Sequence, residues 1–418
     1  MTVIELFDVS PLQNLSGALS FKADKIYFLG SNIKKMTENS EVYEKVIRRF
    51  NPIAEIKYVP IKKYDMNNVS DVICKLAENE KQVIIDVSGG DDYVLAGAGI
   101  AACRCEGKGV QAVHISVRSG AFSCYGKPLY SRTLEKRIDL TCDELISLHG
   151  GKIVYTDQKK SGTYRWDFES DGFEKDVRAM WNICRADCRA WNKAGALMGE
   201  LESFANPKKA EDDRSLTVNT SYYSLKEKGK RYLADSLDSH LLRLSKAGLV
   251  RSYVNDGKNF GFEYKSAQVR QCLVKAGTVL ELMTYLAAKS ARTKKGFTVY
   301  DDALSGVVLD WDGKVHLGAS SVLDTENEID VLLVKGMIPY FISCKNGNVD
   351  ENELYKLSAV AAHFGIKYAK KILVATDLQK NYSSLQRFIG RAKEMNIKII
   401  DGVHKMTFAE FSKKLANV

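Results

Sequence analysis

Proline is scarce in this chain, six in 418 residues, and the thirty glycines are dispersed, so no Pro- or Gly-rich linker marks a domain boundary. Long hydrophobic runs are missing as well. No stretch approaches the ~18 consecutive apolar residues that a membrane helix needs. The opening segment, Met1 to Asp8, has neither the basic n-region nor the long apolar core of a secretory signal. A soluble, cytoplasmic protein with no membrane partner is expected. The nine cysteines are odd in number and scattered from Cys74 to Cys344, which argues against a disulfide framework and fits a reducing compartment. Cys103/Cys105 and Cys184/Cys188 lack a second Cys or His pair at zinc-site spacing, so they read as small core residues. None of the six histidines, His114 and His363 included, has a Ser, Cys or His partner at a telling spacing, and all six read as non-catalytic.

What is present is ordinary globular material, 45% hydrophobic and 27% charged. The length implies two or three domains. Lys and Arg outnumber Asp and Glu by 61 to 52, and the resulting charge of +9 agrees with a nucleic-acid partner without proving one.

The first ~150 residues alternate strands and helices, the pattern of a parallel sheet covered by helices. Strands are expected at Val3–Phe7, Lys25–Leu29, Glu55–Val59, Gln82–Val87 and Gln111–Val117, with helices near Glu41–Phe50 and Val69–Glu78. Ligands of such sheets settle where strands end and loops begin. Three of those loops are rich in small polar residues: Ser10, Gln13 and Asn14; Ser31 and Asn32 after Gly30; and Ser88, Gly89, Gly90 and Asp91. The last opens a helix, and two glycines at a helix start let backbone approach a phosphate. Asp91 and Asp92 are unfavourable beside a phosphate, and the same stretch would also serve simply to cap its helix.

From about Tyr155 to Lys275 the texture changes. A long helix is expected over Glu174–Phe204, then a charged break at Asn206–Arg214, helices at Leu225–Leu233 and His240–Ala247, and a hairpin of Val250–Val254 with Phe260–Tyr264. Helix, helix and a two-stranded wing is the order of a winged helix. Burial of Leu241, Leu242, Leu244 and Leu249 would account for it as a connector, without DNA recognition.

The remainder is α/β again, with a helix from Thr278 to about Ser290 and strands at Val307–Asp310, Asp330–Val334 and Ile338–Cys344. Further on come a helix at Glu351–Phe364, a strand at Lys371–Ala375, a helix at Ser383–Met395 and a strand at Lys398–Ile400. On paired strands, Asp330 at one strand's start and Lys345 at the other's end can meet at a sheet edge. A carboxylate there can take a hard cation, and the lysine can orient water and offset charge on a phosphate. Glu281, on the preceding amphipathic helix, would supply a second carboxylate. Basic runs at Arg292–Lys295 and Lys367–Lys371 flank this constellation.

Asp330, a gap of twelve residues, then Ser343-Cys344-Lys345 resembles the PD-(D/E)xK nuclease signature, with Glu281 as its helix glutamate. The departure is Ser343, which stands where the usual acid would. A hydroxyl is a weaker metal ligand, although the carbonyl of Cys344 could still ligate. Together with Lys275–Tyr285, Asn327–Val331 and the glycine loop Ile84–Gly90, the motif resembles the CRISPR-associated ancillary nucleases that join a CARF sensor to a PD-(D/E)xK-like domain. That resemblance implies a Rossmann-like CARF domain over residues 1–150, a helical and winged-helix-like connector over 151–272, and a restriction-endonuclease-like α/β domain over 273–418. It further implies a homodimer gated by cyclic tetra-adenylate and an endonuclease of type III CRISPR defence using Mn²⁺ or Mg²⁺. Glu281, Asp330 and the Cys344 carbonyl would hold the metal, with Lys345 assisting the water and DNA, or also RNA, as substrate. The competing expectation is a ligand-responsive DNA-binding regulator acting through the winged helix.

Overall fold

The computed structural model describes residues 1–119, 122–124, 138–207, 216–316, 325–378 and 382–418, so most of the expected charged break at Asn206–Arg214 lies outside the described residues. The first sheet contains β1 (Thr2–Leu6), β2 (Lys25–Gly30), β3 (Glu55–Pro60), β4 (Val83–Asp86), β5 (Val110–Ile115) and β6 (Phe122–Cys124). Its helices are α1 (Ser16–Ser20), α2 (Ile33–Glu38), α3 (Ser40–Phe50), α4 (Met66–Ala77) and α5 (Asp92–Arg104), followed by α6 (Cys142–Leu148). The strand order is β3-β2-β1-β4-β5-β6, parallel except where β6 runs antiparallel to β5. Both β1 and β4 are buried at every position, as central strands covered on two faces must be. The order reverses between β1 and β4, and the crevice beyond their carboxyl ends is where such sheets take ligands.

The middle of the chain contains β7 (Lys152–Val154), α7 (Phe173–Ala186), α8 (Cys188–Ala205), β8 (Thr217–Ser221), α9 (Tyr222–Glu227), α10 (Arg231–Lys246), β9 (Val250–Asn255), β10 (Asn259–Tyr264) and α11 (Ala267–Val274). The stretch expected as one helix over Glu174–Phe204 is two, because Asp187 leaves the helical region and its side chain caps α8 by accepting from Ala190 N at 2.9 Å. The helix expected over Leu225–Leu233 is also interrupted. Gly229 adopts φ +67° and ends α9, so Arg231 begins one longer helix running through the expected His240–Ala247 segment. The wing has a third strand, with order β8-β10-β9.

The last unit comprises α12 (Thr278–Lys289), β11 (Asp302–Asp310), β12 (Glu326–Lys335), β13 (Ile338–Lys345), α13 (Asn352–Gly365), β14 (Lys370–Ala375), α14 (Tyr382–Glu394), β15 (Ile397–Ile400) and α15 (Phe408–Ala416). Its sheet order is β15-β14-β13-β12-β11-β7, antiparallel from β7 to β13 and parallel from β13 to β15. The edge strand β7 belongs by sequence to the connector, yet it pairs here with β11. One apolar core is continuous from Ile26 and Phe28 of the first sheet, through Leu145 and Ile146 of α6, to Leu332 and Phe341 of the last. The two sheets are therefore packed together rather than tethered.

Candidate active site and sensor crevice

Adjacent strands β12 and β13 run antiparallel with Val331 opposite Ile342, which brings Asp330 beside Ser343. Asp330 is inside β12, not at its start as the apolar pattern implied, because the ladder to β11 continues through Glu326, Asn327 and Glu328. The hydrogen bonds to Asp330 fall on Oδ2, from Cys344 N at 2.5 Å and Ser343 Oγ at 3.2 Å. Burial pushes the Asp330 carboxyl up, against Lys345 and the Cys344 amide, which favour its charge. Alternation along β13 sends Ser343 and Lys345 to one face of the sheet and Cys344 to the other, where its thiol meets Thr284 of α12 at 3.4 Å.

Asp330, Ser343 and Lys345 line one cavity of about 320 Å³. Glu353, Lys356, Leu357 and Val360 of α13 complete its wall, with Glu326 and Glu328 at the strand ends. Glu353 was not singled out by the motif, yet its Oε2 is 2.8 Å from Lys345 Nζ. Burial works against the charge of Lys345, but Asp330 and Glu353 outweigh it and raise the ammonium above its usual range. Glu281 does not line the cavity. It lies on α12, where burial and then the charges of Asp330 and Glu328 push its carboxyl up to about 8.

Among the described residues no group of three or more His, Cys, Asp or Glu side chains is arranged to hold a metal. The donor chemistry nevertheless fits a hard cation of the Mg²⁺ class. Such an ion is commonly held by one or two carboxylates, with waters and substrate phosphate completing the shell. Burial is the main cause of the raised Glu281 carboxyl, and the charges of Asp330 and Glu328, which add to it, are the part that a divalent cation relieves.

The polar loops of the first sheet meet at the strand-order reversal. Gln13 Nε2 donates to Ser88 O, and Gly90 N donates to Asp8 Oδ2 at 3.1 Å. Asn14 is fully buried and braces Asp8, accepting from its N at 2.6 Å and donating to its O at 2.9 Å. Ser88 Oγ accepts from Ile115 N at 2.7 Å. Asn14 and Ser88 thus shape the crevice from within. Ser10 is also buried, and its Oγ has no partner among the described residues. Ser31 and Asn32 are exposed, Asn32 capping α2 through Lys35 N. Gly89 leaves room only for backbone, since a Cβ there would stand 3.0 Å from Leu6 O. Gly90 has φ +105°. Asp91 is exposed at the start of α5 and makes no side-chain cap, so the capping reading of this loop does not describe it.

Beneath these loops lies a pair of carboxyls that the motifs did not reveal. Glu5 and Asp86 face each other across β1 and β4, both fully buried. Asp86 accepts from Ser16 Oγ at 2.5 Å and Ser88 N at 2.8 Å, and Glu5 accepts from Ala18 N at 2.5 Å. Burial, then Asp86, pushes Glu5 well above the usual carboxylate range. A Glu inside Val3-Ile4-Glu5-Leu6 and an Asp ending Ile84-Ile85-Asp86 were the available signals.

Solved structures reproduce this architecture over the whole chain. Protein VC1899 from Vibrio cholerae superposes with a TM-score of 0.73 at 16% identity, covering 100% of this chain and 97% of that one. Can2 from Sulfobacillus thermosulfidooxidans, solved in complex with cyclic tetra-adenylate, gives a TM-score of 0.60 at 15% identity, again with 100% and 97% coverage. The fold is that of these two proteins. No known family profile matches the sequence, and no curated protein matches it. In this chain the N-terminal sheet has its switch-point crevice between β1 and β4, and the C-terminal sheet carries the Asp330–Lys345 cavity. No helix among the described residues is long and apolar enough to cross a membrane.

Proposed function

We propose that the chain is a divalent-metal-dependent nuclease of type III CRISPR defence, gated by cyclic tetra-adenylate bound in the CARF crevice of a homodimer. The observation that carries this reading is the shared cavity of Asp330, Ser343 and Lys345 on adjacent strands, within a fold whose neighbour Can2 was solved with that ligand.

Asp330 is held by Cys344 N–H and Ser343 O–H through Oδ2, which leaves Oδ1 for a cation. Mn²⁺ or Mg²⁺, when bound there, supplies polarisation of a phosphate and acidification of a water. Glu281 of α12 and the Cys344 carbonyl are the remaining members of the proposed ligand set. Lys345 is a fixed ammonium at the cavity wall, placed to orient water and to offset charge on the attacked phosphate. DNA is the proposed substrate, with RNA as the alternative, and the positive charge of the chain favours either phosphate backbone.

A regulator acting through the winged helix requires an exposed recognition face on α10. That helix buries Leu233, Leu237, His240, Leu241 and Leu244, and its exposed face sets Arg231, Arg243 and Lys246 among Tyr232, Asp235 and Leu242, a poor match to a phosphate backbone. The nuclease reading is tested by incubating plasmid with Mn²⁺, cyclic tetra-adenylate and either wild type or Asp330→Asn. Loss of nicking by about 100-fold or more in the variant is expected. Equal nicking by the two proteins contradicts the assignment.

A further inference from the structure

The cavity has an acid where the sequence motif has none. Ser343 stands at the motif's acid position, and its hydroxyl is spent on Asp330 Oδ2. Glu281, the other carboxylate of the motif, does not reach the cavity wall. Glu353 does, from the first turn of α13.

Its placement is rigid where it matters. Leu354, Leu357 and Val360 bury one face of α13 in the core shared with Phe341 of β13. Glu353 therefore stands on a packed helix against the strand that carries Ser343 and Lys345. Its two oxygens are also unequal. Oε2 is held by Lys345 at 2.8 Å, while among the described residues Oε1 meets only Lys356, at 3.2 Å, and the Lys356 side chain is 70% exposed. An exposed ion pair of this kind contributes little, so Lys356 can yield Oε1 at small cost. The rival carboxylates are less suited. Glu326 is engaged by Lys159 at 2.7 Å, and Glu328 is exposed.

We propose that Glu353 is a metal-binding catalytic residue: it offers Oε1 to the divalent cation beside Asp330 while Oε2 fixes Lys345, so that α13 supplies the carboxylate missing at position 343. The proposal rests on the nuclease reading above. It makes one helix responsible for both the metal and the lysine of the site.

The test compares wild type, Glu353→Gln, Ser343→Glu and the double variant Ser343→Glu/Glu353→Gln, each checked for an unchanged fold by circular dichroism. Mn²⁺ affinity is read by electron paramagnetic resonance without nucleic acid, and nicking is read separately at saturating Mn²⁺. Glu353→Gln is expected to weaken Mn²⁺ binding by about 10- to 100-fold, and the double variant to recover most of that loss. Unchanged Mn²⁺ affinity in Glu353→Gln overturns the proposal, even if nicking falls, because Glu353 would then only position Lys345. A weakened Glu353→Gln with no recovery in the double variant overturns the claim that it replaces the acid at 343. The nuclease reading fails in a different way, by wild type that does not nick or by Asp330→Asn that binds Mn²⁺ as wild type does.

Discussion

Asn346, the residue after Lys345, is clamped to Asn192 of connector helix α8: Asn346 Nδ2 donates to Asn192 Oδ1 at 2.8 Å, and Asn192 Nδ2 donates to Asn346 O at 2.5 Å. Thr376 joins from just beyond β14, donating to Asn346 Oδ1 at 3.1 Å. The end of the strand that carries the site lysine is thus fixed to the connector by a closed polar network, the kind of arrangement that has few intermediate states.

Asn192→Ala removes both hydrogen bonds and leaves Asn346 short of partners in a half-buried site. A stability loss of about 1–3 kcal/mol is expected, readable as a lower urea midpoint. If the clamp also aligns Lys345, nicking at saturating Mn²⁺ falls while Mn²⁺ affinity stays as in wild type. An unchanged nicking rate would confine the clamp to a role in stability.

Glu281 sets a pH dependence whose sign follows from its raised carboxyl. With a folded-state pKa of about 8 against an ordinary 4.5, the metal-free folded protein holds a proton that the unfolded chain releases. Stability should therefore fall as pH rises from 4.5 to 8 and level off above that. Each tenfold displacement of the ionisation equilibrium is worth about 1.4 kcal/mol. Glu281→Gln, which cannot ionise, should flatten that slope and be the more stable protein at pH 8 to 9. Parallel urea midpoints of wild type and variant across this window would show that Glu281 is not perturbed.

Much of this was legible in the chain, and the exceptions have local reasons. Strands β1 to β5 and the polar loops after them follow from apolar runs ended by Gly and Ser, because a doubly covered sheet leaves that imprint. The break at Asp187 is hidden in the sequence although Asp is a strong helix cap, since the apolar periodicity on either side is similar. Asp330 was placed too near its strand's end because polar Glu326–Glu328 look like a turn, while backbone pairing to β11 ignores side-chain polarity. Glu353 was unreadable for a different reason. On its own helix it looks like any solvated Glu three residues before Lys356, and only the packing of α13 back along β13, with Glu353 at Lys345 and Gly365 at Pro339, brings it to Lys345. For the same reason, helix periodicity places Glu281 on α12 but cannot say on which side of the sheet it falls.

The central claim is that ligand in the CARF crevice controls the distant cavity. The loop after β1 offers a route. Asp8 and Val9 line a cavity of about 180 Å³ together with His363 and Ile366 at the end of α13, whose first turn holds Glu353 on Lys345. A ligand shifts such an element only by binding one arrangement more tightly than the other, and ~100-fold activation corresponds to about 2.7 kcal/mol of coupling. The most direct measurement is the initial rate of plasmid nicking in Mn²⁺ with and without cyclic tetra-adenylate, for wild type and for Ser31→Arg. Ser31 is the better position for a blocking side chain, being exposed, whereas Gly90 at φ +105° would be strained by any substitution. The account predicts about 100-fold faster nicking with the ligand in wild type and little response in Ser31→Arg. Equal wild-type rates with and without the ligand would contradict it.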